Sequence, residues 1–384
     1  MDHYDIVIIG GGLAGLTAAK TLEEHNINYI LLEKNSTIGG KQRTDTLDGF
    51  QCDHGFQVLS TAYPEAKKTL DLDTLRLKPF SRDAYCYNGS GFTRIAHPFE
   101  NIITNITAIH RKLLTPKDLF IFSKLAFSLL KKSTSEILES TEKSTLDYWK
   151  TLGFSSSCIY YFLSPFFKGI FLDNTLTTSS RLWLYYFKQF LIGKACIPEQ
   201  GIQAIPEQIA SHCSPNSIKT GHEVLSIEKN TLHIKNADSI KSKLIICATS
   251  NPAASTLFHF KKIPYQSVSC FYFETSEPLI KHKGLHLDGS KGLINNFHSV
   301  THVNPIASPK NKYLLSFSAI PEYPERIIHE NEIKKDAQRY FGNQTETWNF
   351  VNKYLIKEAV PVQQHVYSSI RTNLNTDHIL MSGD

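Results

Sequence analysis

Gly10, Gly12 and Gly15 are where the chain first shows chemistry. They stand in the run Gly10-Gly11-Gly12-Leu13-Ala14-Gly15, and Glu33 follows eighteen positions after Gly15. Glycines at this spacing do three separate things. The first permits a tight strand-to-helix turn, the second lets backbone approach an anion, and the third lets helix and strand pack closely. A helix starting there presents unbonded N–H groups and the positive end of its dipole. A carboxylate at position 33 can accept hydrogen bonds from ribose hydroxyls, and an acid there argues against a 2′-phosphate. These residues predict a dinucleotide held by its pyrophosphate, with Leu13 and Ala14 in the glycine-rich turn and Lys34 beside the acid.

That chemistry requires a βαβ unit, and the flanking residues supply one. Residues 5–9 (DIVII) are a β-branched run suited to a strand buried on both faces. Residues 16–25 are rich in Ala, Leu, Lys and Glu and read as a helix. Residues 28–33 (NYILLE) read as the second strand. The unit takes about 30 residues, as the dinucleotide fingerprint demands.

Gly39-Gly40-Lys41-Gln42-Arg43-Thr44 comes next. It resembles the "GG-Arg-x-x-Thr" extension of the superfamily of FAD-containing amine oxidases, protoporphyrinogen oxidases and phytoene desaturases. The resemblance implies FAD as cofactor, with this stretch wrapping its pyrophosphate. Lys41 stands where the family usually has Arg; it keeps the charge but loses the bidentate fork, which Arg43 can supply. The bland alternative for both is an exposed basic loop. Residues 53–59 (DHGFQVL) resemble an "Asp-x-Gly" segment that lies near the isoalloxazine in such proteins, which implicates Gly55, Phe56 and Gln57. His54 reads either as a base or, more commonly for such a residue, as a structural histidine.

Further matches are spread along the chain. Residues 219–229 read as one strand, and the family's counterpart packs a valine against adenine, which points to Val224. Residues 231–235 and 243–249 read as two more strands, the latter like the family's "Val-Ile-x-Ala-Thr". Residues 197–206 resemble its "Pro-x-Gly-Gly-Met-x-x-Ile-Pro" element, with Gln200 and Gln203 as departures. Residues 358–361 resemble an "Ala-x-Pro" return. Residues 379–384 resemble the last FAD strand, where Gly383 and Asp384 would meet the ribityl chain. A helix follows that strand in the family and is missing after Asp384, so the sequence reads as truncated.

The implied fold class is α/β. An FAD-binding Rossmann-like domain of glutathione-reductase type would be built from residues 1–75, 196–262 and 361–384. A mixed α+β substrate domain would comprise a mainly helical stretch, 76–195, and an antiparallel sheet, 263–360. The best strands there are 267–273, 292–300 and 313–319, with a helix at 333–340. Within the helical stretch, 118–131 is amphipathic and framed by Arg111, Lys112, Lys131 and Lys132. The aromatic clusters 160–167 and 183–187 read either as packed core or as the wall of an apolar substrate channel, with an interfacial membrane face extending the second reading.

Composition narrows the function classes. The chain is 41% hydrophobic and 20% charged, which suits a globular protein and not a disordered one. Net charge is only +5 and no basic run is long, so nucleic acid is not an expected partner. Seven scattered cysteines without a CxxC pair predict neither disulfides nor metal, and a cytoplasmic location with peripheral membrane contact as the extension. No signal peptide or 18-residue apolar span is expected. The expected activity is hydride transfer between an apolar or aromatic substrate and flavin N5, desaturase-like. An oxygen-using amine or protoporphyrinogen oxidase is the alternative, and a non-catalytic FAD- or lipid-binding protein the alternative of another class. An NAD-dependent dehydrogenase is disfavoured by 39–44 and 383–384. No catalytic acid or base stands out, and the oligomeric state is left open.

Overall fold

The computed structural model describes residues 2–97, 101–290, 292–323, 325–366 and 378–383. Strand β1 (His3–Ile9) feeds helix α1 (Leu13–Glu24), which returns to strand β2 (Tyr29–Glu33). β1 and β2 pair in parallel. Val7, Ile8 and Ile9 are all buried, as interior strands of a parallel sheet must be. Helix α1 buries Gly15, Leu16, Ala19 and Leu22, one stripe at helical spacing, and lays it on Ile8 and Leu31.

Strand β3 (Ile240–Cys247) lies parallel to β1 on its other side. The sheet runs Ile218–Thr220, β2, β1, β3, Thr231–Ile234, Val224–Glu228, and Ile379–Met381 pairs in parallel with the end of β3. Residues 219–229 are therefore not one strand. Gly221 adopts φ +72° and breaks the run: Ile218–Thr220 joins β2 in parallel, while Val224–Glu228 turns back onto Thr231–Ile234. The turn is held where the Gly221 and His222 N–H groups donate to the carbonyls of Asn35 and Glu33.

A second seven-stranded sheet contains strands β4 (Ile294–Ser299), β5 (Tyr313–Ala319) and β6 (Asn349–Pro361). Its order is β6, Tyr265–Thr275, β5, β4, Leu285–Asp288, Ala84–Tyr87, Phe92–Ile95. The last two strands come from the stretch read as mainly helical; that stretch is helical only beyond them. Leu285–Asp288 lies parallel to Ala84–Tyr87, so the sheet is mixed, not purely antiparallel.

A helical layer packs on this sheet. Helix α2 (Pro116–Lys131) starts with a capping box: the Asp118 N–H donates to Thr115 Oγ1, and the Thr115 N–H donates to Asp118 Oδ2. Helix α3 (Ser180–Ile192) packs beside it, with the Phe122 and Phe187 ring centres 5.9 Å apart. Trp149 and Trp183 lie at the centre, fully buried. The clusters form packed core around Trp183, and Phe162, Phe166, Phe167 and Phe187 also line a cavity.

Candidate functional site

The carboxyl ends of β1, β2 and β3 open on a cavity of about 800 Å³. The crevice at strand carboxyl ends is where open α/β sheets bind ligands. The three glycines differ in what surrounds them. A Cβ on Gly15 would sit 2.0 Å from the Gly10 carbonyl oxygen, so Gly15 is a packing glycine. Gly10 has φ +108° and backs onto the Ala248 carbonyl. Gly12 is extended, and a Cβ there would meet nothing nearer than Gly40 Cα at 3.9 Å. It faces open cavity at the start of α1, which has neither a side-chain cap nor an acid in its first turn. Its first N–H groups and positive dipole end are left for an anion.

Glu33 ends β2 and faces the same space. Its Oε2 accepts from the Gly11 N–H at 2.7 Å, and Oε1 accepts from the Asn35 N–H and Nδ2. A carboxylate has about four acceptor positions, so one remains for a ligand hydroxyl. Lys34, Val224 and Leu225 continue this wall. Opposite lies the basic loop. Lys41 Nζ stands 5.1 Å from the centre of the Tyr265 ring, and Arg43 Nε is enclosed with no hydrogen-bond partner among the described residues. An orphaned guanidinium donor lining a cavity calls for an anion that supplies the missing acceptor. The uncapped helix end, the open space at Gly12, the Glu33 acceptor and Arg43 together fit a dinucleotide such as FAD.

The loop is braced from behind. Gln57 Nε2 donates to the Lys41 and His54 carbonyls. Gln203 Nε2 donates to the Ile38 carbonyl and its N–H to Thr44 Oγ1. A Cβ on Gly201 would overlap Thr44 Oγ1 at 2.5 Å, which is why this element needs its glycine. Asp53 Oδ1 accepts from Thr44 Oγ1 at 2.6 Å and from the Ile202 N–H at 3.0 Å. His54 is held in place: its Nε2 lies 2.9 Å from Asp45 Oδ2, and its ring stacks on Tyr354.

Burial pushes the Asp53 carboxyl up to about 6, against those two hydrogen bonds. The folded pKa is above the unfolded one of about 3.9, so this group's stabilisation is complete below pH ~4 and lost as pH rises through 6. Asp53→Asn mimics the neutral form and escapes that loss. Its stability relative to the parent should rise by about 2 kcal/mol between pH 4 and pH 7 in urea melts. A pH-independent difference would refute the assignment.

Of the residues selected from sequence, Gly10, Gly12, Leu13, Ala14, Glu33, Lys34, Gly40, Lys41, Arg43, Val224 and Gly383 line this cavity. Gly15, Gly39, Gly55, Phe56 and Gln57 do not: Gly15 packs, the Gly39 N–H donates to the Gly11 carbonyl, a Cβ on Gly55 would meet Ile356, and Gln57 braces the loop. Asp384 lies outside the described residues. The sequence reading missed Asn35, Thr249, Ser250 and Glu358, although it had marked the elements carrying Thr249 and Glu358.

Phe56 lines a second cavity, of about 190 Å³, between the helical layer and the second sheet. Its walls are largely apolar, with seven Phe and four Leu among the lining residues, and Ser81, Arg82, Asp83, His97 and Asn296 as the polar ones. Asp83 is its only carboxylate among the lining residues, and Arg94 Nη2 holds it at 2.6 Å. Asn296 on β4 is a buried polar residue of its lining, and Ser81 Oγ is a second buried polar atom there without a partner among the described residues. Asn296 Oδ1 accepts from Asn295 Nδ2 at 2.9 Å, while its own Nδ2 has no partner. Ser318, directly across on β5, and His298, two residues along, also carry partnerless buried atoms. Burial pushes His298 down to about 3, so its imidazole is neutral.

A cradle for a dinucleotide and a second, mainly apolar cavity against the other sheet define a flavoprotein oxidoreductase architecture. Residues 13–366 match the model of the flavin containing amine oxidoreductase family. The chain belongs to that family, whose members are FAD-dependent oxidoreductases, and FAD is its cofactor. It is 24% identical over 169 residues to protoporphyrinogen oxidase 2 of Arabidopsis thaliana, covering 43% of this chain and 32% of that one. It is 41% identical over 59 residues to a 4,4'-diapolycopene oxygenase of Methylomonas, covering 15% and 12%. The chain thus spans a third or less of the length of these curated relatives. An oxidoreductase of Methanosarcina mazei superposes with TM-score 0.72 at 18% identity, over 98% of this chain and 93% of that one, which shows the fold.

Proposed function

We propose that this chain oxidises or reduces an apolar substrate by hydride transfer, in the manner of a desaturase, with the second cavity holding the reacting segment. FAD supplies the hydride acceptor or donor at N5. The chain's residues do the rest. Leu13 and Ala14 at the end of α1, with Lys41 and Arg43, take the pyrophosphate. Glu33 takes the ribose, Val224 the adenine, and Gly383 with Asp384 the ribityl chain. Phe56 bounds the substrate cavity, while Gln57 beside it holds the loop that lines the cofactor cavity.

The carrying observation is the lining of the second cavity: mainly aromatic and aliphatic walls and no carboxylate without its own arginine, with two of the wall residues, Phe56 and Phe80, packed against the neutral His298. Such a wall excludes water and offers an ammonium group no counter-charge. Porphyrinogen oxidation is favoured by the longer match to protoporphyrinogen oxidase. Against it, about 190 Å³ is below the roughly 300–1,000 Å³ of pockets that enclose drug-sized ligands, and suits a chain segment better than a whole macrocycle. The deciding experiment is anaerobic bleaching of the FAD-loaded chain by an isoprenoid polyene, a porphyrinogen and a primary amine. Bleaching by the polyene alone is expected; bleaching by the amine alone overturns the reading. Bleaching by dithionite but by none of the three favours a non-catalytic binder.

Asn296 separates stability from turnover. A buried amide without a partner costs roughly 1–3 kcal/mol. Asn296→Leu should therefore melt at or above the parent's temperature. The rate of flavin reduction by an oxygenated apolar substrate should fall at least about tenfold, the equivalent of one lost hydrogen bond. A lower melting temperature with unchanged reduction would show that Asn296 serves the sheet alone.

A further inference from the structure

The outer face of α2 carries the wrong residues for water. Phe120 is 67% exposed and Phe127 63%, with Leu130 at 47%. Positions 120 and 127 are two turns apart and form one ridge. Lys117, Lys124 and Lys131, at the same seven-residue spacing, form the ridge beside it. Lys131 Nζ lies 4.1 Å from the centre of the Phe127 ring, its alkyl stem along the apolar ridge and its charge at the end. The one acid of this helix, Asp118, is fully buried in the capping box. The preceding helix, Ile102–His110, exposes Ile103 at 77% and Ile106 at 45%, and Arg111 and Lys112 join the two.

From this placement of exposed Phe and Leu beside a lysine row without exposed acids, we infer that α2 docks on a bilayer surface bearing anionic lipid. An interfacial helix buries one apolar stripe in the headgroup boundary and keeps lysines at the phosphates. A second copy of the chain is a poor occupant, because a two-fold contact would set the three lysines against their equivalents. The inner face of the same helix adds the functional link. Phe122 packs on Phe162 and Phe187, with ring centres 6.1 and 5.9 Å away, and both of these line the apolar cavity. One helix thus has the surface ridge on one side and the cavity wall on the other. The docking itself does not depend on the proposed reaction. Delivery of a lipid-soluble substrate through this wall does.

The test is co-sedimentation of the FAD-loaded full chain with phosphatidylcholine vesicles, with and without phosphatidylserine. Binding is expected only with phosphatidylserine and should weaken as salt rises. Phe120→Ser with Phe127→Ser, and separately Lys117→Glu with Lys124→Glu and Lys131→Glu, should each lower the bound fraction at least about tenfold. Flavin absorbance and melting temperature should stay at parental values, since every changed side chain is exposed. Absence of parental binding to either vesicle overturns the inference, as does equal binding by the variants. A concentration-dependent dimer abolished by the Phe variant would assign the face to a second copy and also overturn it. Loss of turnover with detergent-dispersed substrate, while vesicle binding persists, would count against the reaction and not against the docking.

Discussion

Gly12→Val should give a folded chain that no longer retains FAD. The backbone at Gly12 is extended, a conformation any residue adopts, and an added Cβ meets nothing nearer than Gly40 Cα at 3.9 Å in the folded protein. The fold therefore tolerates the substitution. The new side chain instead occupies the space before the uncapped end of α1, where the pyrophosphate belongs. FAD affinity should fall at least about a hundredfold, or roughly 2.7 kcal/mol, with the melting temperature of the flavin-free chain unchanged. Gly15→Ala gives the contrast. Its Cβ would lie 2.0 Å from the Gly10 oxygen, so α1 must lift off β1. Overpacking of that kind costs on the order of 3 kcal/mol, and here the apo protein itself should be destabilised. Absorbance of the purified variants, FAD released on denaturation, and melting of both apo forms give the answer. Stoichiometric FAD in Gly12→Val would remove the cradle from its assigned role.

The difference between these two glycines also shows what a sequence can carry. Spacing alone distinguishes the turn, the approach and the packing position, because all three roles are local to β1, α1 and β2. Glu33 was legible for the same reason. The basic loop was legible as a loop, but only the fold shows that Arg43 Nε is enclosed and without an acceptor. Gly221 was hidden inside an alternating run, since a left-handed turn between two short strands leaves the apolar pattern almost intact. Ala84–Tyr87 and Phe92–Ile95 form a local hairpin, but its place in the sheet is set by the long-range pairing of Ala84–Tyr87 with Leu285–Asp288, which has no local signature. Asn296, His298 and Ser318 lie in strands that the sequence marks, but nothing local says what covers their face. It is covered by helices, which turns ordinary polar residues into partnerless buried ones.

The second large effect lies far from the cofactor. Arg339, on the helix Glu330–Phe341, closes that helix against the second sheet. Its Nη2 reaches Asp288 Oδ2 at 2.6 Å and Asp336 Oδ2 at 2.7 Å, and Nη1 meets Ser290 Oγ. The Asp288 side chain is 0% exposed, and Tyr340 OH donates to the same oxygen at 2.6 Å. Asp336 is held further by the N–H groups of Leu293 and Ile294. Removing the arginine leaves the Asp288 charge buried with hydroxyl and N–H donors but no cation. Breaking a buried pair from one side costs about 3–5 kcal/mol, whereas removing both charges costs far less. Arg339→Met should therefore lose stability by that amount, and adding Asp288→Asn should restore at least half of it. FAD occupancy below the melting transition should stay at the parental level, because neither residue lines the cofactor cavity. Urea melts of the parent, both single variants and the double variant measure the coupling directly. If the two losses simply add, Arg339 and Asp288 do not act as a pair, and the helix must be held to the sheet by the Phe297, Phe317 and Trp348 packing alone.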